Sequence, residues 1–250
     1  MSEGVAMYLR SFRLPTMAQL AEEAMAKAEA EDWGYRRLLT FLCESEHQER
    51  QRRRIGRLLA ESNLPPDKTL ANLDEKLFPV AIRRQLASLL DGSFVDRAEN
   101  IIAIGLPGRG KTHFLAALAR ELVTRQQRRV LFTRSDVLIE RLLRARAELR
   151  FEEELLRLDR YAAIVVDELG YVEHHREQME VFFQFVSYSH ERRSLLVSSN
   201  LVFSQWDRIF KDAMASMAAV DRLTQHSHVL SFTNEGIRNP RPEAKAPPKK

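Results

Sequence analysis

A single cysteine, Cys43, serves the whole chain of 250 residues, which excludes an intramolecular disulfide and any cysteine-built metal centre and suits a reducing compartment. Lying in the run Leu38, Leu39, Phe41, Leu42, it reads as a core residue. No stretch reaches the roughly 18 consecutive apolar residues of a membrane-spanning helix. Met1 to Leu14 lacks the pattern of a secretory signal, so a soluble cytoplasmic protein with no membrane partner is expected. Internal repeats are missing too. Strong net charge is also lacking: of the formal +4, Arg238, Arg241, Lys245, Lys249 and Lys250 against Glu243 supply five minus one, leaving the body close to neutral.

What is present is a hydrophobic content of 44%, enough for one nucleotide-binding domain of ordinary size and a smaller appendage. Thr16 to Ala30 and Trp33 to Ala60 read as helices, and Pro65 and Pro66 open a linker. Phe78 to Leu90 reads as a helix entered past Pro79 and closed by Asp91 and Gly92. Beyond Asn100, apolar strands near 130–133, 162–167, 194–199 and 228–232 alternate with amphipathic helices at 135–146 and 175–190. That alternation predicts an α/β fold, a mainly parallel sheet with helices on both faces, preceded by a small helical domain. The expected organisation is a helical domain over 1–64, a linker over 65–78, the α/β domain over 79–238 and a basic disordered tail over 239–250.

The densest chemical signal is "IIAIGLPGRGKTHFLAALARELV". Ile101 to Ile104 form a doubly buried strand, and Gly105, Leu106, Pro107, Gly108, Arg109, Gly110, Lys111 and Thr112 fit G-x-x-x-x-G-K-[ST], with His113 opening the following helix. Glycines let the backbone turn its N–H groups toward phosphate oxygens, at the positive end of that helix. Lys111 supplies a charge to β- and γ-phosphates, and Thr112 offers a hydroxyl oxygen to Mg²⁺.

Ile164 to Val166 form a second buried strand, with Asp167 at its carboxyl end to anchor the metal and Glu168 next to it to polarise an attacking water. "SLLVSSN" ends on Asn200, an amide able to hydrogen-bond a γ-phosphate or the lytic water, or simply a turn residue. In "AVDRL", Arg222 can serve as an arginine finger for a neighbouring subunit, or pair locally with Asp221. Arg238 follows the last strand, in reach of phosphates on its own chain. Arg50, Arg52, Arg53, Arg54 and Arg57 form one basic cluster, and Arg141 and Arg144, with Arg146 and Arg150, a second. Both suit a phosphate backbone and equally suit a solvated helix face.

Taken in order, "GRGKTHFLAALA", "DELGY", "ERRSLLVSSNLVFSQWDRIF" and "DRL", preceded by "LPPDKTLANLD", resemble the AAA+ transposition helper ATPases of the IstB type, and more distantly helicase loaders of the DnaC type. The resemblance implies ATP and Mg²⁺ as cofactors, head-to-tail homo-oligomers on duplex DNA of little sequence preference, and a transposase as the partner stimulated. It further implies that Lys111, Thr112 and Asp167 hold nucleotide and metal, that Glu168 activates water, that Asn200 and Arg238 are sensors, and that Arg222 reaches across the subunit interface. Ile237 stands where the family commonly has an aromatic residue. A DnaC-like loader of a replicative helicase is the alternative that the same motifs allow, and an unrelated nucleotide kinase is disfavoured by Glu168 and Asn200.

Overall fold

The structure, a computed structural model, describes residues 3–171, 175–206 and 213–233, with side chains not described for 3 and 213–217. Two compact units divide between Arg57 and Leu58.

The first unit carries α1 (Glu3–Ser11), α2 (Pro15–Ala30) and most of α3 (Tyr35–Glu61). Pro15 starts α2 where a missing N–H costs nothing, and Ala18, Ala21, Ala24 and Ala28 make one buried stripe of small side chains at helical spacing. The open N–H groups of that first turn are taken by a residue from α3: Glu46 Oε2 accepts from Thr16 N at 2.8 Å and Met17 N at 3.0 Å. Helix α1 was not anticipated, and Cys43 proves exposed rather than part of a core.

In the second unit the chain passes α4 (Val80–Leu89) and α5 (Ser93–Asp96) into alternating strands and helices. These are β1 (Asn100–Ile104), α6 (Lys111–Thr124), β2 (Val130–Arg134), α7 (Ser135–Ala147), α8 (Phe151–Leu158), β3 (Ala163–Leu169), α9 (Arg176–Ser189), β4 (Ser194–Ser199), α10 (Ala213–Thr224) and β5 (Ser227–Ser231). The strands form a parallel sheet in the order β2-β3-β4-β1-β5. Every strand expected from the sequence is present within two residues at either end; the short α8 was missed.

Both faces of the sheet are covered, as strands without polar alternation require. Ile101, Ala103, Val165, Leu196 and Leu230 pack on the side of α4 and α6, whereas Ile102, Ile164, Val166, Leu195 and Val197 meet α7, α9 and α10. Phe78, Phe114 and Phe232 pack edge to face, with ring centroids 5.5 to 6.2 Å apart, under the strand that ends in the glycine loop. Truncating Phe114 to alanine is expected to cost about 3–5 kcal/mol, because the ring is fully buried and its removal leaves a cavity beneath the site.

Within the stretch expected as a linker Leu73 and Phe78 are buried, as is Leu64 just before it. Ser62 O accepts the Phe132 N–H at 2.7 Å along the outer edge of β2, and Arg120 donates to Pro65 O at 2.8 Å. The segment therefore lies against α6 and brings Lys68 and Thr69 to the glycine loop.

Candidate functional site

Because β4 lies between β1 and β3, the loop after β1, the carboxyl end of β3 and the residue after β4 meet at one edge of the sheet. Ligands of open α/β sheets collect at such an edge.

The loop carries three positive φ angles, at Gly105 (147°), Gly108 (76°) and Gly110 (90°). At Gly105 a side chain is also sterically barred, since a β-carbon would stand 2.5 Å from Phe232 O. Lys111 is only 8% exposed and folds back over the loop, donating to Gly105 O at 2.6 Å and Leu106 O at 2.9 Å. A recess of about 170 Å³ opens between Lys68 and the backbone from Gly108 to His113, with Arg109 and Thr112 in its wall. Pro107 is exposed beside it. His113 Nε2 lies 3.0 Å from Thr69 O, tying the first turn of α6 to the preceding segment.

Thr112 Oγ1 donates to Asp167 Oδ1 at 2.8 Å, so the two expected metal-holding residues are adjacent. Asp167 is 5% exposed, and the same Oδ1 accepts the Ser198 hydroxyl. A hydroxyl and a carboxylate are hard oxygen donors. Among the described residues no cluster of three or more His, Cys, Asp or Glu could hold a metal. A cation that keeps its waters and binds few protein ligands plus phosphate fits this donor set, which is the habit of Mg²⁺.

Glu168 follows in a β-bulge. Val166 pairs with Val197 and Leu169 with Ser199, so three steps on β3 oppose two on β4. Its φ of +61° is rarely adopted by a side-chain-bearing residue, and sparse backbone conformations of this kind gather at functional sites. The carboxylate is 43% exposed, with Oε2 3.6 Å from Arg134 Nε. Asn200 lies one residue beyond β4, and its Oδ1 is buried without a hydrogen-bond partner among the described residues. Such an acceptor costs roughly 1–3 kcal/mol until a donor reaches it, and the water of a hydrolytic reaction is a donor of that kind.

Arg222 lies on α10, its guanidinium 5.2 Å from the Phe183 ring centre on α9 and 3.4 Å from Ala218 O. Among the described residues, none of its contacts reaches Lys111, Asp167, Glu168 or Asn200, and it makes no ion pair with Asp221. Arg238 lies outside the described residues.

Several of the basic residues already have carboxylate partners. Arg50 pairs with Glu46 at 2.8 Å, and Arg52 and Arg53 with Glu49, both at 3.0 Å. Arg54 and Arg57 are exposed and make no ion pair with a described residue. In the second cluster Arg141 is paired with Glu154, Arg146 with Glu180 and Arg150 with Glu148, while Arg144 is unpaired among the described residues. Arg141, Arg144 and Arg150 line an open groove of about 730 Å³ bounded by α7, α8 and the start of α9.

Sequence reasoning missed Lys68, Arg134, Ser135 and Ser198. Only Ser198 had a local signal, two places before Asn200; the others arrive through tertiary folding.

This sheet order, with a glycine loop and lysine after β1, an acidic pair closing β3 and an amide after β4, is that of an AAA+ P-loop ATPase. The solved structures of similar fold include DnaI, with a TM-score of 0.56 and 18% identity over 69% of this chain and 96% of that one. Another is the replication initiator DnaA bound to AMPPCP and single-stranded DNA, with a TM-score of 0.56 and 15% identity over 68% of this chain and 51% of that one. The DnaC helicase loader follows at a TM-score of 0.51 and 19% identity over 62% and 91%.

The chain belongs to the family described as IstB-like ATP binding protein, which matches residues 7–244. It is 36% identical over 231 residues to an insertion sequence ATP-binding protein of Sinorhizobium fredii, covering 92% of this chain and 77% of that one. To the insertion sequence IS21 ATP-binding protein of Pseudomonas aeruginosa it is 32% identical over 230 residues, covering 92% and 86%.

Proposed function

We propose that this ATPase assembles on target DNA and delivers it to a partner transposase, whose activity it stimulates during transposition of an insertion sequence. The observation that carries this reading is kinship: relatives 31–36% identical along at least 92% of the chain are insertion sequence ATP-binding proteins. The likeness to the DnaC helicase loader, at 19% identity, is one of fold alone and gives the loader reading less weight.

In this reading Gly105, Pro107, Gly108, Arg109, Gly110 and His113 shape the phosphate cradle. Lys111 turns from the Gly105 and Leu106 carbonyls to the β- and γ-phosphates. Thr112 and Asp167 hold Mg²⁺, which supplies charge neutralisation on the phosphates when bound. Glu168 takes the proton of the attacking water, while Asn200 orients that water through Oδ1. Arg222, remote from its own chain's loop, serves the nucleotide of an adjacent subunit, and Arg238 contacts phosphates in cis. Such head-to-tail contacts are heterologous, so the homo-oligomer forms a ring or an open helix. Residues 1–64 contact duplex DNA or the partner, 65–78 join them to the ATPase domain of 79–238, and 239–250 form a basic tail.

The test is to incubate the full chain and its cognate transposase with duplex target DNA, with ATP and with a non-hydrolysable analogue, and to score strand transfer alongside DNA-bound assemblies. Nucleotide-dependent assembly on duplex DNA with stimulated transfer is expected. Assembly confined to single strands, with a replicative helicase captured in place of the transposase, would establish the loader instead.

A further inference from the structure

The bulge at the end of β3 poses a local problem: the extra residue takes the Glu168 backbone out of register with β4, and its N–H loses a strand partner. At a buried site an unmet N–H is costly. The chain meets it with a side chain. Ser198 Oγ accepts the Glu168 N–H at 2.9 Å and donates its own proton to Asp167 Oδ1, so this 1%-exposed hydroxyl is used in both directions.

The other end of the same residue is held as well. Ser135, 3% exposed at the first position of α7, donates from Oγ to Glu168 O at 3.1 Å. The next serine of β4 repeats the device one step on: Ser199 Oγ donates to Leu169 O at 2.8 Å and accepts the Leu201 N–H at 3.1 Å. Three buried hydroxyls thus fasten the bulge, two of them on the strand that leads directly into Asn200.

We propose that Ser198, seconded by Ser135, is a positioning residue that holds the Glu168 backbone in its left-handed conformation and orients Asp167, fixing where both carboxylates stand. The proposal deepens the hydrolytic reading of Glu168 and rests on it. Ser198 moves no proton in the reaction. It fixes the peptide from which the base projects, and it also constrains Asp167: since Oδ1 takes both Thr112 and Ser198, Oδ2 is left without a hydrogen bond among the described residues and is the oxygen available to a metal.

The experiment uses the full chain carrying Ser198→Ala, Ser198→Thr, Ser135→Ala or Glu168→Gln. Amide hydrogen exchange at Glu168 is followed without nucleotide, affinity is measured with a non-hydrolysable ATP analogue and Mg²⁺, and kcat and KM are separated. Ser198→Ala is expected to speed exchange at Glu168 by about tenfold or more and to lower kcat by roughly 10- to 100-fold, as misplacement of a reacting group by an ångström does. KM and analogue affinity should stay within about threefold, since the phosphate loop is untouched and Thr112 still donates to Asp167 Oδ1. Ser198→Thr keeps the hydroxyl and should restore both values.

A folded Ser198→Ala with normal exchange at Glu168 or normal kcat overturns the proposal. Should that variant not fold, Ser135→Ala decides, and an unchanged kcat there overturns it equally. Full turnover by Glu168→Gln would sink the hydrolytic reading of Glu168 alone, leaving the hold of Ser198 on the bulge to stand or fall on the exchange measurement.

Discussion

The Thr112 hydroxyl and the Asp167 carboxylate, 55 positions apart in sequence, share a hydrogen bond of 2.8 Å that joins the first turn of α6 to the end of β3. A cation held by both side chains would tie the two elements together. Asp167→Asn keeps the shape and removes the charge, so it should abolish most of the tightening of ATP affinity by Mg²⁺, about tenfold or more, while leaving metal-free binding nearly unchanged. Titration of a fluorescent ATP analogue with and without Mg²⁺ checks this.

Glu168→Gln should bind ATP within about threefold of the parent and lose roughly 100-fold or more in turnover, the usual worth of a positioned base. Rapid-quench hydrolysis beside equilibrium binding separates the two. Equal loss of both would place Glu168 in binding instead.

Arg222→Ala should bind ATP normally and lose nearly all DNA-stimulated hydrolysis, because an arginine finger contributes on the order of 1,000-fold. Mixed with Lys111→Ala, it should recover part of the activity, since interfaces form that pair an intact lysine with an intact arginine. Steady-state turnover against mixing ratio reports this, and undiminished hydrolysis by Arg222→Ala alone refutes an action in trans.

In the N-terminal cluster, Arg54 and Arg57 have no carboxylate partner among the described residues, whereas Arg50 pairs with Glu46, and Arg52 and Arg53 share Glu49. Removing Arg54 and Arg57 should weaken DNA binding at all sequences alike and reduce the salt slope by about 1 for each phosphate no longer neutralised. Anisotropy titrations at several salt concentrations measure it. An unaltered slope removes this cluster from the DNA surface.

Glu99 provides a pH prediction away from the site. The Arg97 hydrogen bond, outweighing partial burial and aided by His228, pulls its carboxyl from 4.5 to about 2. A depressed folded value means stability that is complete above the unfolded value and lost as the carboxylate takes up a proton. The melting temperature of Glu99→Gln should therefore fall below that of the parent at neutral pH, and the gap should close as pH drops from about 4.5 toward 2. Thermal melts across that range test it.

The strands and helices of the α/β region were legible because their apolar periodicity is strong, and the glycine loop because its fixed positions are contiguous. Asp167 and Glu168 could be read as a pair near the end of a strand, but the bulge at Glu168 could not, since it arises from register with β4. Lys68 shows the same limit: nothing in "PPDKTLANLD" marks a residue that will face Gly108 to His113, because hydrogen bonds of Arg120 and His113 bring it there. The arginine clusters were legible as density of charge but not as ion pairs: Glu46 and Glu49 lie one helical turn from their arginines, whereas Glu154 and Glu180 reach Arg141 and Arg146 only through folding.

The bond from the Phe132 N–H to the Ser62 carbonyl has a bearing on assembly. By occupying the middle of β2, one of the two outer strands, it denies an incoming polypeptide a free margin on that side of the sheet. In the proposed oligomer, copies therefore do not join by prolonging the sheet from β2. Helical and loop contacts there could be made and broken with each cycle of nucleotide more readily than a β-ladder running through successive subunits.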